Sequence, residues 1–205
     1  MIERLVFMAA GLDALKATGT TSDRKRVSDA QGQLADLPLF VCDVGRIALA
    51  TLHAEARRQQ ASRGLDAMFV DHIQHVTVPG LKGAQLLEDV MAGEKGIAMN
   101  LDIPVVQVSH VNRDAAKFGL GLHSGKGSGS IEQDSNVVLT LEPVSWMDGS
   151  WQPMSEGDAD FVRQRDNRLA VRVKSNKNRG GQRGYSVRHL DFDLGGRFSA
   201  LAREA

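Results

Sequence analysis

Short apolar runs that stop at a polar or charged residue alternate with helical patterns through the first half of the chain. LPLFVCDV (37–44), AMFV followed at once by Asp71, and IPVVQVSH (103–110) are three such runs. A strand written as a continuous apolar run is buried on both faces, and helices must cover the sheet it joins. The alternation therefore predicts an α/β fold, a mostly parallel sheet flanked by helices. Such sheets place function outside the carboxyl ends of their strands. Asp71, His110 and Lys177 fall at or just past those ends.

The remaining elements follow from spacing. Ile2, Leu5, Val6, Met8, Ala9, Leu12 and Leu15 recur at helical intervals and predict a helix over 2–16. A more polar helix is expected over 22–34, with Thr21, Ser22 and Asp23 as N-cap candidates. The run at 37–44 reads as a buried strand, and 47–62 as a helix stopping near Gly64. A helix over 84–101 contains Gly93 and Gly96, each costing about 1 kcal/mol relative to Ala. A Gly- and Ser-rich loop (119–129) leads to a strand, SNVVLTLEP. Residues 143–164 read as an irregular, acidic surface excursion. RLAVRVKSNKNRGG is a strand entering a basic loop, and YSVRHLDFD and GRFSALA read as two short closing strands.

Composition excludes several classes of function. With 205 residues, 42% of them apolar and 24% charged, the chain has the size and apolar content for a core. Lys plus Arg and Asp plus Glu are both 25, which excludes a uniformly basic nucleic-acid binder but leaves room for a local basic patch. The single cysteine, Cys42, excludes a disulfide scaffold and a cysteine zinc site, and suits the reducing cytoplasm. No apolar run nears the roughly 20 residues of a membrane span. The first residues carry acids among their apolar positions, unlike a signal peptide. Aromatics are 5%, too few for a broad base-stacking platform.

Each candidate residue has a functional and a structural reading. An acid directly after an apolar strand is where P-loop NTPases hold magnesium, through the carboxylate or a bound water; an acid there also caps turns. His110 ends the next strand, where a polar group can sense a phosphate or serve structure alone. His72 and His75 flank Asp71 without a zinc-like spacing. GKGSGSIEQD (125–134) offers backbone N–H groups and Lys126 to phosphates, or is a linker. The pattern GxxxxGK[ST] occurs nowhere in the chain. Residues 163–188 hold Arg163, Arg165, Arg168, Arg172, Lys174, Lys177, Arg179, Arg183 and Arg188 against Asp166 alone among acids. That is a solvated face or an anion site. In KNRGG, Lys177 and Arg179 stand one residue apart and can meet one anion together; a guanidinium is planar, always charged and bidentate.

In this order, VDHIQHV, DIPVVQVSHVNR, GSGSIEQDSNVVLTL and KNRGG resemble the C-terminal RecA-like motor domain of DnaB-type replicative DNA helicases. GSGSIEQD before an apolar strand is the most specific element, and the resemblance runs most firmly from Gly64 to Phe198. It implies ATP and Mg²⁺ as cofactors, single-stranded DNA as partner and a hexameric ring. By resemblance, Asp71 is the Walker B acid that positions Mg²⁺. His110 stands where relatives place Gln or His to sense the γ-phosphate. Lys177 and Arg179 match the Lys-x-Arg pair that reaches the neighbouring subunit's ATP, with Arg179 as arginine finger; Lys174 is an alternative lysine. Residues 79–85 and 113–130 correspond to loops lining the central channel, where Arg113, Lys126, Gly127, Ser128 and Gly129 would meet DNA phosphates.

The resemblance also implies what stands outside this sequence. In the family, the P-loop strand, the Walker A Lys and Thr and the catalytic Glu precede the helix matching 2–16. A sheet without its first strands is then expected, with open strand edges. The implied organisation is a helical lead-in with one strand (1–63), a Walker B to DNA-loop core (64–142), the acidic excursion (143–166), and the finger strand, its loop and the closing strands (167–205). No measurable ATP hydrolysis is expected of the chain alone. Two other readings stand beside a helicase part. One is a non-catalytic module that binds DNA or a partner subunit. The other is a different RecA-like ATPase, such as a recombinase.

Overall fold

The computed structural model describes residues 2–12, 19–110, 131, 133–148, 150–155, 157–159, 162, 168–181, 187–193 and 196–200. By chain contacts it divides into two units. One comprises Met1–Asp43, Leu141–Val173 and Val187–Ala205; the other comprises Val44–Thr140 and Lys174–Ser186.

In the first unit, α1 (Ile2–Ala9) packs on α2 (Thr21–Ala35). Val6, Ala10, Leu12 and Ala30 form the buried contact, with Phe7, Val27 and Leu34 around it. α1 stops at Gly11, whose φ of 64° suits glycine, and the Arg26 guanidinium donates to the Gly11 carbonyl at 3.0 Å. The cap of α2 is Thr20, one residue before the expected candidates. Its hydroxyl accepts from the Asp23 N–H while the Asp23 carboxylate accepts from the Thr20 N–H, a capping box.

The strands β5 (Val137–Met147), β6 (Ser150–Pro153), β7 (Arg168–Asn178), β8 (Val187–Asp193) and β9 (Phe198–Ala200) form one sheet, in the order β6-β5-β7-β8-β9. β5 and β6 pair antiparallel, Trp146 facing Trp151, and β8 and β9 pair antiparallel, Phe192 facing Phe198. Two sequence expectations change here. The excursion begins not as irregular chain but as a hairpin, because β5 runs on through Pro143. The Pro143 carbonyl accepts from Met154 just past the end of β6, so its missing N–H, on the same side, faces no strand. Residues 37–44 form no strand: Leu37, Leu39, Phe40 and Val44 are exposed. An apolar run becomes a strand only where another strand lies alongside, and among the described residues none pairs with it.

The second unit holds two parallel pairs. β1 (Ile47–Ala48) pairs with β3 (Val76–Thr77), and β2 (Met68–Val70) pairs with β4 (Val105–Gln107). Between them lie α3 (Leu49–Arg63), a single 3-10 turn (Ile73–His75) and α4 (Gly83–Leu101). Gly64, at φ 82°, ends α3, and Asp102, left-handed at φ 52°, ends α4. The Gln60 side chain donates to the Leu101 carbonyl at 2.8 Å, satisfying one of the last groups of α4.

α4 buries Val90, Met91, Glu94 and Ile97, one stripe at helical spacing. Val90 and Met91 join Val70, Ile73 and Val76 in the core, and each such side chain contributes about 1.5–3 kcal/mol on burial. α4 runs unbroken through both glycines. At Gly93 an added Cβ would lie 2.5 Å from Leu49, so this glycine lets α3 approach α4 closely, whereas Gly96 has open space. Phe69 and Val106 are register partners on the β2–β4 pair, and both are exposed.

Candidate nucleotide site

β2 and β4 are parallel neighbours, so their carboxyl ends deliver polar residues to the same edge. Asp71 directly follows Val70 and is exposed. The chain then returns toward β4: the Ile73 N–H donates to the Val108 carbonyl and the Val108 N–H to the Val70 carbonyl, both at 2.9 Å. These bonds extend the ladder beyond the strands and hold 71–73 against 108–110. The Gln74 amide donates to the Ser109 hydroxyl at 3.2 Å, fixing the same edge from the side chains.

Three imidazoles gather there. The His72 ring lies 4.1 Å from that of His75 and 4.2 Å from that of His110, the second contact edge-on at 63°. Asp71 and His110, singled out in the sequence at two strand ends, are thus linked through His72. The His72 Nδ1 is buried without a hydrogen-bond partner. Among the described residues no group of three or more His, Cys, Asp or Glu is arranged to hold a metal ion.

A second cluster forms where β7 ends. Asn176 is tied to β5 by its amide, which donates to the Thr140 hydroxyl at 3.0 Å. Arg179 then makes two bonds to the chain just before β5. Its backbone N–H donates to the Asn136 carbonyl at 2.9 Å, and its guanidinium donates to the Gln133 carbonyl at 2.6 Å. Arg179 is exposed and Lys177 half-buried, with Gly180 and Gly181 beyond them. A guanidinium carries five donors, so the Gln133 bond leaves others for an anion. Arg113, Lys126, Gly127, Ser128 and Gly129 lie outside the described residues.

Sequence reasoning passed over Glu94. It sits on the buried stripe of α4 and is fully buried. Burial raises its pKa from the ordinary 4.5 to about 7, and the Gln107 side chain opposes that rise. Neither carboxylate oxygen has a partner in good hydrogen-bond geometry, so Gln107 is a weak dipolar neighbour. The signal was available: an acid at a helical interval from Val90 and Ile97. Gln107 itself is three residues before His110, so this buried acid stands behind the strand that presents the histidine.

The DnaB-like helicase C terminal domain family matches residues 1–193. The replicative DNA helicase DnaB of Treponema pallidum (strain Nichols) is 32% identical over 146 residues, covering 69% of this chain and 33% of that protein. DnaB of Rickettsia bellii (strain RML369-C) is 29% identical over 147 residues, covering 67% and 29%. The chain therefore spans about a third of the length of these relatives. Among solved structures, a DnaB-like replicative helicase described with its interactions with primase superposes at a TM-score of 0.75 and 19% identity, over 98% of this chain and 47% of that one. A second solved chain, described as an ATPase domain, superposes at 0.75 and 19% identity, over 98% and 70%. The fold is accordingly α/β and RecA-like, as the strand pattern and the resemblance led one to expect. No helix among the described residues is long and apolar enough to cross a membrane. By the extent of the family match and its agreement with these relatives, this chain belongs to the DnaB-like helicase C-terminal domain family.

Proposed function

We propose that the chain is a working part of a cytoplasmic replicative DNA helicase, a hexameric ring that couples ATP hydrolysis to movement along single-stranded DNA. The observation that carries this reading is the shared edge of β2 and β4, which sets Asp71 and His110 at neighbouring parallel strand ends.

The residues fit Mg²⁺ and ATP in part. Asp71 offers an exposed carboxylate, a hard oxygen donor of the kind that holds a hydrated Mg²⁺ through one or two carboxylates. His110 offers a ring nitrogen for a terminal phosphate. Arg179 and Lys177 supply cations to the nucleotide of an adjacent subunit. When bound, ATP would supply the phosphoryl group and Mg²⁺ would offset its negative charge. The backbone cradle of a GxxxxGK[ST] loop is not in this sequence. The chain alone therefore hydrolyses no ATP, and its cations act in trans on a subunit that has such a loop. Arg113, Lys126 and the backbone N–H groups at Gly127, Ser128 and Gly129 hold DNA phosphates, a contact independent of base sequence, as a translocating motor needs.

The test mixes the chain with a loop-bearing DnaB-type subunit and follows ATP turnover with and without oligo(dT). Turnover above that of the loop-bearing subunit alone, lost with Arg179→Ala, supports the reading. Turnover by the chain alone that Asp71→Ala abolishes would overturn the division of labour. An absence of stimulation in any mixture would overturn the assignment in trans.

A further inference from the structure

Arg179 is held by a neutral acceptor although a carboxylate sits next to that acceptor in sequence. Its guanidinium donates to the backbone carbonyl of Gln133, and the next residue is Asp134. The Asp134 carboxylate is turned instead to α4, where its Oδ1 lies 3.7 Å from the Lys95 Nζ. The consequence is electrostatic. A carbonyl orients a guanidinium and leaves its charge intact, whereas a carboxylate would neutralise it and occupy two donors of the fork. Asp134 and Gln133 share one short stretch that already reaches Arg179 through two backbone carbonyls, at 133 and 136.

We infer that Lys95 is a positioning residue for the anion-binding role of Arg179: by holding Asp134, it keeps that carboxylate off the guanidinium. The inference rests on the reading of Arg179 as a phosphate-binding cation. It adds a residue on another element, with no phosphate contact of its own. Both side chains of the Lys95–Asp134 pair are partly exposed, so the pair itself is weak. Its effect lies in which partner Asp134 takes.

The test is calorimetric titration of the chain with inorganic tripolyphosphate at low salt, using Lys95→Met, Asp134→Asn and the double variant. Lys95→Met is expected to weaken binding about two- to fivefold, the range of an exposed ion pair. Asp134→Asn binds at least as tightly as the wild type. The double variant returns to wild-type affinity, because no carboxylate remains to be diverted. If the double variant stays as weak as Lys95→Met, Lys95 acts as a direct phosphate contact and the inference is overturned; unchanged binding in Lys95→Met overturns it too. If the wild type binds no tripolyphosphate, or Arg179→Ala does not weaken it, the reading of Arg179 fails first. Diversion is then read from solvent exchange of the Arg179 guanidinium protons by NMR. Slower exchange in Lys95→Met, reversed in the double variant, upholds it, and equal rates overturn it.

Discussion

The Arg179 guanidinium donates to the Gln133 carbonyl at 2.6 Å, joining two points 46 residues apart in the chain. The Arg179 N–H makes a second bond, to Asn136, so the arginine closes the end of β7 onto the start of β5. Arg179→Ala removes the first bond and keeps the second. The expected loss of stability is about 1 kcal/mol in urea unfolding, since the group is exposed and water replaces the protein partner. A loss above about 3 kcal/mol would show that the guanidinium holds structure rather than serving an anion.

Glu94 sets a pH dependence in the second unit. Its folded pKa, about 7, stands above its ordinary 4.5. The folded chain keeps a proton that the unfolded chain releases between those values. Stability is full below about pH 4.5 and is lost as pH rises toward 7, by on the order of 2–3 kcal/mol. Glu94→Gln removes this titration, so its unfolding free energy is expected to fall less than the wild type's as pH rises from about 5 to 7. An equal slope in wild type and variant would show that Glu94 is not the group responsible.

Glu142 and Arg172 form a pair in the first unit, two N–O contacts of 2.7 Å, with Glu142 buried. Removing Arg172 takes an opposite charge away from a buried carboxylate. Arg172→Met is expected to cost about 1–3 kcal/mol, and the joint change Arg172→Met with Glu142→Leu to recover most of it. Thermal melts of the three chains decide this. Arg172 also faces His189, which stacks on Trp151 at 4.8 Å. Burial, then Arg172, holds the His189 pKa below 6.5. That share of stability is present above pH 6.5 and is lost as pH falls below it.

The two glycines of α4 predict opposite signs. Gly96→Ala meets nothing within 4 Å and should stabilise by about 0.5–1 kcal/mol. Gly93→Ala drives a methyl into Leu49, and overpacking costs about 1–3 kcal/mol. Urea midpoints measured side by side check the pair, and two variants of equal stability would contradict the packing.

The strand-end residues were legible because their signal is local. Val70 followed by Asp71 announces the end of a buried strand without any knowledge of its neighbours. The run at 37–44 has the same composition and misleads, because its partner strand is a fact about distant chain. Pro143 misled in the other direction: proline reads as a stop, yet its missing N–H falls where β6 has already ended. Thr20 was missed by one residue, since the N-cap depends on the side chain that closes the box with Asp23. The meeting of His72, His75 and His110 needed the pairing of β2 with β4, and the contact of Arg179 with Gln133 needed that of β7 with β5. Neither pairing is written in any window of sequence.

Both tryptophans of the chain sit in one hairpin, their rings 5.3 Å apart across β5 and β6. Their emission therefore reports on the first unit and is silent about the second, where Asp71, His110 and Arg179 lie. Circular dichroism reads the helices of both. A fluorescence midpoint that differs from the dichroism midpoint would show that the two units melt separately, a question the chain's own chromophores are placed to answer.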